Sequence, residues 1–403
     1  MGTRLTSRRA LGPWVGTVPI TPAFGAVAHK LDSDVVMFSE SQQRIYRLDK
    51  DSGSVWFDIV AGTQPDTVTQ NFARRVKCAP DEASGYVSNC VAQWLAMGFL
   101  CHWPQQGSLP SVLPLRQTSA AKAGDIYSIA GARIAISFAD ARSKKAWEAL
   151  AGHLRKQAAG SSKTQVVEAN LSVDQYRDGY RIRGLSSDFT EYADPAAVAV
   201  GLKEAVMHVV LDRQPYWIAL HSAALRADAG AVLLAGASGR GKTTLAALLN
   251  ALGMSAFSDD VTLVSSRRPR IWGMPFSFAV KPGSWDRLRS SVPSLDRLPE
   301  FRRPDGRTVK YLKPFRHCET ADKVSAIIFP HFSGGSSLQI STLPKMTGLL
   351  ALLQEAISGS RQLSAAVFGS ICQLLNDAEV IEMTYGDGIA AAEWVTMHFK
   401  PCS

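Results

Sequence analysis

Gly236-Ala237-Ser238-Gly239-Arg240-Gly241-Lys242-Thr243 fits the pattern G-x-x-x-x-G-K-[ST] at every defined position. At ordinary residue frequencies a chance match in a chain of this length is on the order of one in a hundred. The chemistry this pattern points to is phosphate binding, and the alternative is a glycine-rich turn with no ligand. Glycines at 236, 239 and 241 permit backbone conformations and a closeness of approach that a Cβ would obstruct. Backbone N–H groups of such a loop, with the start of the helix that Thr244 continues, converge on one anion. Lys242 then reaches the β- and γ-phosphates and Thr243 coordinates Mg²⁺.

Downstream, Ser258-Asp259-Asp260 closes a short apolar run, and Asp259 lies 17 residues after Lys242. Two carboxylates on a turn beside a phosphate loop can divide the work of phosphoryl transfer, one holding Mg²⁺ and the other taking the proton of an attacking hydroxyl. The alternative is an Asx turn that caps a strand or helix. Upstream, His221 follows the apolar stretch Tyr216-Trp217-Ile218-Ala219-Leu220. Taken alone, a histidine in that setting is a satisfied core residue more often than a functional one.

These residues need elements to hold them. Ala231-Val232-Leu233-Leu234-Ala235 is a continuous apolar run, as expected of a buried parallel strand feeding a crossover helix. Val261–Val264 reads as the strand after the acidic pair. Between Asp125 and Asp212 the pattern is mainly β, with strands at Ile126–Ile129, Gly131–Ser137, Gln165–Ser172 and Tyr180–Gly184 and a helix around Ala146–Gln157. A helix over Pro195–Leu211 follows. Near the N-terminus, Val35–Phe38 and Arg44–Leu48 flank a polar turn and predict a β-hairpin. Asp51 or Ser52 then caps a first helix that ends at Gly62, a second starts at Asp66 or Thr67, and a third carries Tyr86 to Leu95. Such a module is winged-helix-like. Helices at Met346–Ser358 and Leu363–Asp377, a strand at Val380–Thr384 and a helix at Ile389–Phe399 complete the chain.

The chain has 403 residues, 46% hydrophobic and 20% charged, which excludes global disorder and is enough for two or three domains. It carries neither a membrane-spanning apolar run nor a secretory signal block, so the expected location is cytoplasmic, with no membrane partner. Lys and Arg exceed Asp and Glu by 9, spread in small clusters. That balance suits a phosphate ligand better than nucleic acid. The six cysteines fall at scattered spacings without a C-x-x-C pair, as free thiols do.

His221, the loop Gly236 to Thr243 and Ser258-Asp259-Asp260 together resemble the C-terminal domain of HPr serine kinase/phosphorylase and its relatives. Gly273-Met274-Pro275, Lys281-Pro282-Gly283-Ser284-Trp285 and Tyr311-Leu312-Lys313-Pro314 resemble the branch of that family found with peptide-modifying gene clusters, which includes lasso-peptide kinases. The resemblance implies an ATP- and Mg²⁺-dependent kinase. It sets Lys242, Thr243 and Thr244 at the phosphates, Asp260 with Thr243 at Mg²⁺, Asp259 or Asp260 as base, and His221 near the transferred phosphate. Where HPr kinases carry a further acidic metal ligand, this chain has Gly273-Met274-Pro275-Phe276 and Lys281, which puts HPr itself in doubt as the substrate.

The hairpin, with Tyr46-Arg47-Leu48-Asp49 leading into Ser52-Gly53-Ser54-Val55-Trp56, is similar to PqqD, the peptide-chaperone fold called a RiPP recognition element. Such a module presents a sheet edge to which an extended leader peptide adds as a strand.

The expected organisation is an irregular lead-in over 1–26, a PqqD-like peptide-binding α+β domain over 27–104 and a linker over 105–124. An α/β P-loop kinase domain with a β-rich first half follows over 125–345, and 346–403 extends it with helices. The expected activity is phosphorylation of a Ser or Thr hydroxyl in a ribosomally made precursor peptide held by its leader. The rivals are a kinase of a free small molecule, such as serine or a sugar, and a non-catalytic nucleotide-gated peptide adaptor. A homo-oligomer is compatible with all three.

Overall fold

A computed structural model describes residues 20–102, 118–121, 124–156, 166–184, 191–213, 216–265, 271–321, 323–357 and 362–402. Residues 1–19 of the expected lead-in, 105–117 and 122–123 of the expected linker, and 103–104 at the end of the expected peptide-binding domain lie outside these. The chain is an α/β protein of mixed sheets and helices. Among the described residues, no helix is long and apolar enough to cross a membrane.

It divides into two compact units. The first comprises residues up to Ser111 together with Gly359–Asn376, and the second Val112–Ser358 with Asp377–Ser403.

In the first unit, Ala26–Leu31, Asp34–Ser39 and Arg44–Leu48 form an antiparallel three-stranded sheet, one strand more than the expected hairpin. Ala26, expected in the irregular lead-in, opens that extra strand, and Thr21–Pro22 pairs with Leu100–Cys101. Helices Lys50–Val60, Pro65–Val76 and Pro80–Ala96 follow. The first is capped by Asp49, whose carboxylate accepts from Ser52 N at 2.7 Å, so neither Asp51 nor Ser52 is the cap. The other two begin at a proline, which lacks the N–H that a first helical turn would leave unpaired. Val55, Trp56 and Ile59 face the sheet, and Trp56 meets Trp94 edge-on at 5.4 Å in a core closed by Phe99. At Gly53 a Cβ would lie 2.4 Å from Val35 Cγ2, so glycine lets the helix sit directly on the sheet.

The helix Ala365–Asp377 corrects the domain boundaries. Expected as part of a helical extension of the kinase domain over 346–403, it belongs through Asn376 to the first unit. Phe368 stacks on Phe38 at 4.8 Å, Ala365 N donates to Glu40 Oε2 at 2.8 Å, and Gln43 makes two hydrogen bonds with the backbone of Leu363. The apolar face of the three-stranded sheet thereby gains a cover from distant sequence.

The second unit contains the site. Its central sheet runs in the order Ser255–Ser258, Ser222–Ala227, Gly230–Ala235, Val324–Phe332, Glu379–Tyr385, Gln339–Thr342. Gly230–Ala235 is parallel to Val324–Phe332 and antiparallel to Ser222–Ala227, and its apolar residues are fully buried. Helices Lys242–Ala251 and Gly388–His398 pack in the same core, with Leu245, Leu248, Ala391 and Val395 at or below 1% exposure. A second six-stranded sheet, built on Asp125–Ile129, Ala132–Phe138, Ala169–Tyr176 and Gly179–Arg183, packs against helices Ala141–Ala151 and Pro195–Arg213. The former helix starts earlier than the expected Ala146, because Asp140 caps it through Ser143 N at 2.7 Å. Helix Lys345–Gln354 ends before the expected Ser358. There the chain becomes the strand Ala356–Ile357, paired with Ala219 and Leu220.

Candidate functional site

The strand Gly230–Ala235 delivers the chain into the glycine loop, and the helix Lys242–Ala251 leaves it. Gly236, Gly239 and Gly241 all have positive φ, at 125°, 88° and 97°. Gly241 is also sterically required, since a Cβ there would lie 2.5 Å from Tyr385 Oη and 3.2 Å from Phe332 Cβ. The helix has no side-chain cap and no acidic residue in its first turn, which leaves its N-terminal N–H groups and positive dipole end free of a competing anion.

Lys242 is buried, at 6% exposure, and its ammonium donates to the carbonyls of Gly236 and of Ala237 (3.2 Å to the latter). Burial pulls its pKa down, opposed by the carboxylates of Glu355, Asp260 and Asp259. The next residue but one, Thr244, meets Ser284 Oγ at 2.6 Å, which ties the Lys281-Pro282-Gly283-Ser284 turn to the start of the helix. Arg240 is exposed, and its guanidinium contacts the ring of His331. Ala237 and Ser238 form the crest of the loop.

Asp259 and Asp260 follow the strand Ser255–Ser258, whose Ser258 hydroxyl accepts from the N–H groups of Asp260 (3.2 Å) and Val261 (2.9 Å). That serine turn is the local reason the two carboxylates project from one short loop. Their environments differ. Asp259 is buried, at 8% exposure, with Oδ2 accepting from Ala279 N at 3.0 Å and Oδ1 buried without a hydrogen-bond partner among the described residues. Burial, then the charge of Asp260, pushes its pKa up; the Ala279 N–H and the facing Thr243 hydroxyl work the other way. Asp260 is nearly half exposed. Its Oδ2 accepts from Lys203 Nζ at 2.6 Å and its Oδ1 lies 3.2 Å from His221 Nε2. The Lys203 ammonium, with the His221 contact adding, holds this carboxyl well below the usual carboxylate range.

His221 sits in the bend between the strands Tyr216–Leu220 and Ser222–Ala227. It is not a satisfied core histidine. Its ring is a third exposed and lies between two carboxylates, Asp260 on Nε2 and Glu355 on Nδ1 at 3.2 Å. The structure therefore gathers Thr243, Asp259, Asp260 and His221 around the start of one helix, and electrostatics couples Lys242 to both aspartates.

Lys203 and Glu355 are additions that the sequence reading did not reach. Lys203 interrupts the buried face of the helix Pro195–Arg213, which is a faint signal, whereas Glu355, in the turn after the helix Lys345–Gln354, has no local signature. Beside the acid pair a pocket is lined by Lys203, Met207, Asp259, Asp260, Val261, Met274, Phe276 and Ser277. Among the described residues no group of three or more His, Cys, Asp or Glu side chains gathers to hold a metal ion alone. Mg²⁺ does not need one, since it keeps water and substrate phosphates as most of its ligands. The Asp259 carboxyl, with one buried oxygen lacking a hydrogen-bond partner among the described residues and the Thr243 hydroxyl beside it, is a fitting protein contribution to such an ion.

No protein-family model and no curated protein matches the chain. Among solved structures, one described as TbiB1 in complex with the TbiA(beta) leader peptide is similar at 12% identity and a TM-score of 0.20, over 21% of this chain and 99% of that one.

Proposed function

We propose that the second unit transfers the γ-phosphoryl group of ATP to a hydroxyl, and that the acceptor is a Ser or Thr of a ribosomally made precursor peptide whose leader binds the first unit. The observation that carries the kinase reading is the join of two features. A glycine loop with three positive-φ glycines opens the helix of Lys242 and Thr243, and beside it an acidic pair lines a pocket, Asp259 against Thr243 and Asp260 between Lys203 and His221.

In this reading the loop amides and Lys242 hold the β- and γ-phosphates. A Mg²⁺ ion held there would supply charge neutralisation at the phosphates. We assign its protein contacts to Thr243 and Asp259, in place of Thr243 and Asp260, because both oxygens of Asp260 are already engaged by Lys203 and His221. Asp260 orients the acceptor hydroxyl. The oxygen attacks the γ-phosphorus in line as the bond to ADP breaks, and its proton passes to the Asp260 carboxylate. A carboxylate of low basicity suffices, because a loose transition state leaves the proton on the nucleophile until late. Lys203 balances the charge of that carboxylate until the proton arrives, and His221 contacts its other oxygen.

The peptide half of the proposal draws on the PqqD-like pattern and on the outer strand Arg44–Leu48, which among the described residues pairs only with Asp34–Ser39. A strand edge of this kind can accept an extended peptide. Tethering the leader raises the local concentration of the acceptor.

The test is incubation of the protein with Mg²⁺, isotopically labelled ATP and the small peptides of its source cells, read by mass spectrometry. A labelled peptide, absent with Lys242→Ala, is the expected outcome. Label on a free metabolite would replace the peptide by a small-molecule acceptor, and full labelling by Lys242→Ala would overturn the phosphate-loop assignment.

A further inference from the structure

Glu355, His221, Asp260 and Lys203 form one chain of polar contacts, contributed by four separate segments of the second unit. Glu355 holds His221 at two points. Its backbone carbonyl accepts from His221 N at 2.7 Å and its side-chain Oε2 lies 3.2 Å from His221 Nδ1. Two attachments to one residue fix both the position of the histidine backbone and the rotation of its ring. With Nδ1 turned to Glu355, Nε2 is the atom that meets Asp260 Oδ1.

At the far end, Lys203 pins the other oxygen of Asp260 at 2.6 Å. The ammonium also lies over the Phe276 ring, 5.6 Å from its centroid, so an aromatic face limits where it can go. The lysine is mostly buried, at 19% side-chain exposure, on a helix whose Val198, Leu202, Ala205 and Val206 belong to the hydrophobic core. A lysine kept in that setting costs desolvation unless its partner is fixed. Glu355 is likewise only 13% exposed. Each oxygen of Asp260 thus receives one contact, and the plane of the carboxylate is set against the pocket that Met207, Met274, Phe276 and Ser277 complete.

We propose that Glu355 and Lys203 are positioning residues that fix the Asp260 carboxylate from its two sides, Glu355 through the ring of His221 and Lys203 directly, so that Asp260 presents a defined direction to the acceptor hydroxyl. The consequence for phosphoryl transfer rests on the kinase reading above, whereas the network itself does not. Displacement of a positioning group by about 1 Å can cost about a hundredfold in rate without changing ground-state binding.

Two measurements test this, one needing no turnover. In protein labelled with ¹⁵N in its histidine rings, with His221→Gln assigning the signals, the His221 Nδ1 carries a proton in the native protein. Glu355→Gln shifts both ring nitrogens, and Lys203→Met shifts Nε2 more than Nδ1. A His221 Nδ1 without a proton, or His221 signals that ignore Glu355→Gln, overturns the proposal. In the second, a fluorescent ATP analogue reports nucleotide affinity and phosphate release from Mg·ATP, with water as acceptor, reports turnover. Lys203→Met keeps the affinity within about twofold and lowers turnover by about tenfold or more, and Lys203→Arg restores most of it. Parallel loss of affinity and turnover, or no rescue by arginine, overturns the role of Lys203. If the native protein neither binds nor turns over ATP, the kinase reading fails, while the ring-nitrogen result still decides whether the network exists.

Discussion

Asp259 and Asp260 are adjacent in the chain and are pushed in opposite directions by their surroundings. Burial raises the pKa of the first, and the Lys203 ammonium lowers that of the second. For Asp259 the consequence for stability has a definite sign. A carboxyl whose folded-state pKa exceeds its unfolded value of about 3.8 binds more protons when folded, so it disfavours folding increasingly as pH rises through the interval between the two values. Asp259→Asn is therefore expected to stabilise the nucleotide-free protein near neutral pH, on the order of 1 kcal/mol, and to flatten that part of its stability–pH curve. Denaturant unfolding of both forms at several pH values checks this. An asparagine variant less stable than the native protein near neutral pH would mean that the buried oxygen is better satisfied than its contacts indicate. The same substitution is expected to remove Mg²⁺-dependent turnover, a case of function set against stability.

Among the elements, the turn after the helix Ala141–Ala151 carries a second titrating device. His153 Nε2 lies 2.6 Å from the carbonyl of Pro275, and its ring meets that of His317 edge-on at 5.1 Å. Burial pushes the His153 pKa from 6.5 to about 4, with the charges of His317 and Lys313 acting in the same direction and the Pro275 contact opposing. The unfolded chain therefore takes up a proton that the folded one resists. Stability is full above about pH 6.5 and is lost as pH falls toward 4. His153→Gln is expected to remove a part of that acid sensitivity on the order of 1 kcal/mol. Equal slopes for the two proteins across that interval would contradict the assignment. Pro275 adjoins Met274 and Phe276 of the pocket wall, so this contact ties the turn after the helix Ala141–Ala151 to that wall.

For the molecule as a whole, the first unit is assembled from two stretches of chain far apart in sequence. Phe368 is fully buried against Phe38, and a Cβ at Gly369 would come within 3.0 Å of His29 Nε2, so the helix Ala365–Asp377 lies tightly on the sheet. Phe368→Ala is expected to lower the unfolding free energy of this unit by about 3–5 kcal/mol. The nucleotide affinity proposed for the second unit, which has its own core, should be preserved. Calorimetry beside a nucleotide titration distinguishes the outcomes. A loss below about 1 kcal/mol would mean that the helix is only loosely applied. Removing residues 1–104 would strip this helix of its partners, so leader binding is better tested by substitutions on the Arg44–Leu48 edge than by truncation.

The glycine loop, the acidic pair and the three N-terminal helices are legible because each is specified locally. Gly236, Gly239 and Gly241 state their backbone geometry in their identity, the loop joins an apolar strand to a helix without interruption, and the spacing of Val55, Trp56, Ile59 and Val60 marks a helix face of which all but the exposed Val60 is buried. The cap falls at Asp49, within a few residues of the expected Asp51 or Ser52, since several polar residues there could each satisfy the same backbone group, whereas the strand Ala26–Leu31 is an element that the hairpin pattern does not mark. Lys203 and Glu355 were not legible, nor was the attachment of Ala365–Asp377 to the first unit. A lysine or glutamate in a helix or turn looks the same in sequence whether it faces solvent or a charge. Only the pairing of Ala356–Ile357 with Ala219 and Leu220, and the packing of Pro195–Arg213, bring those charges to Asp260 and His221, where desolvation gives their contacts force.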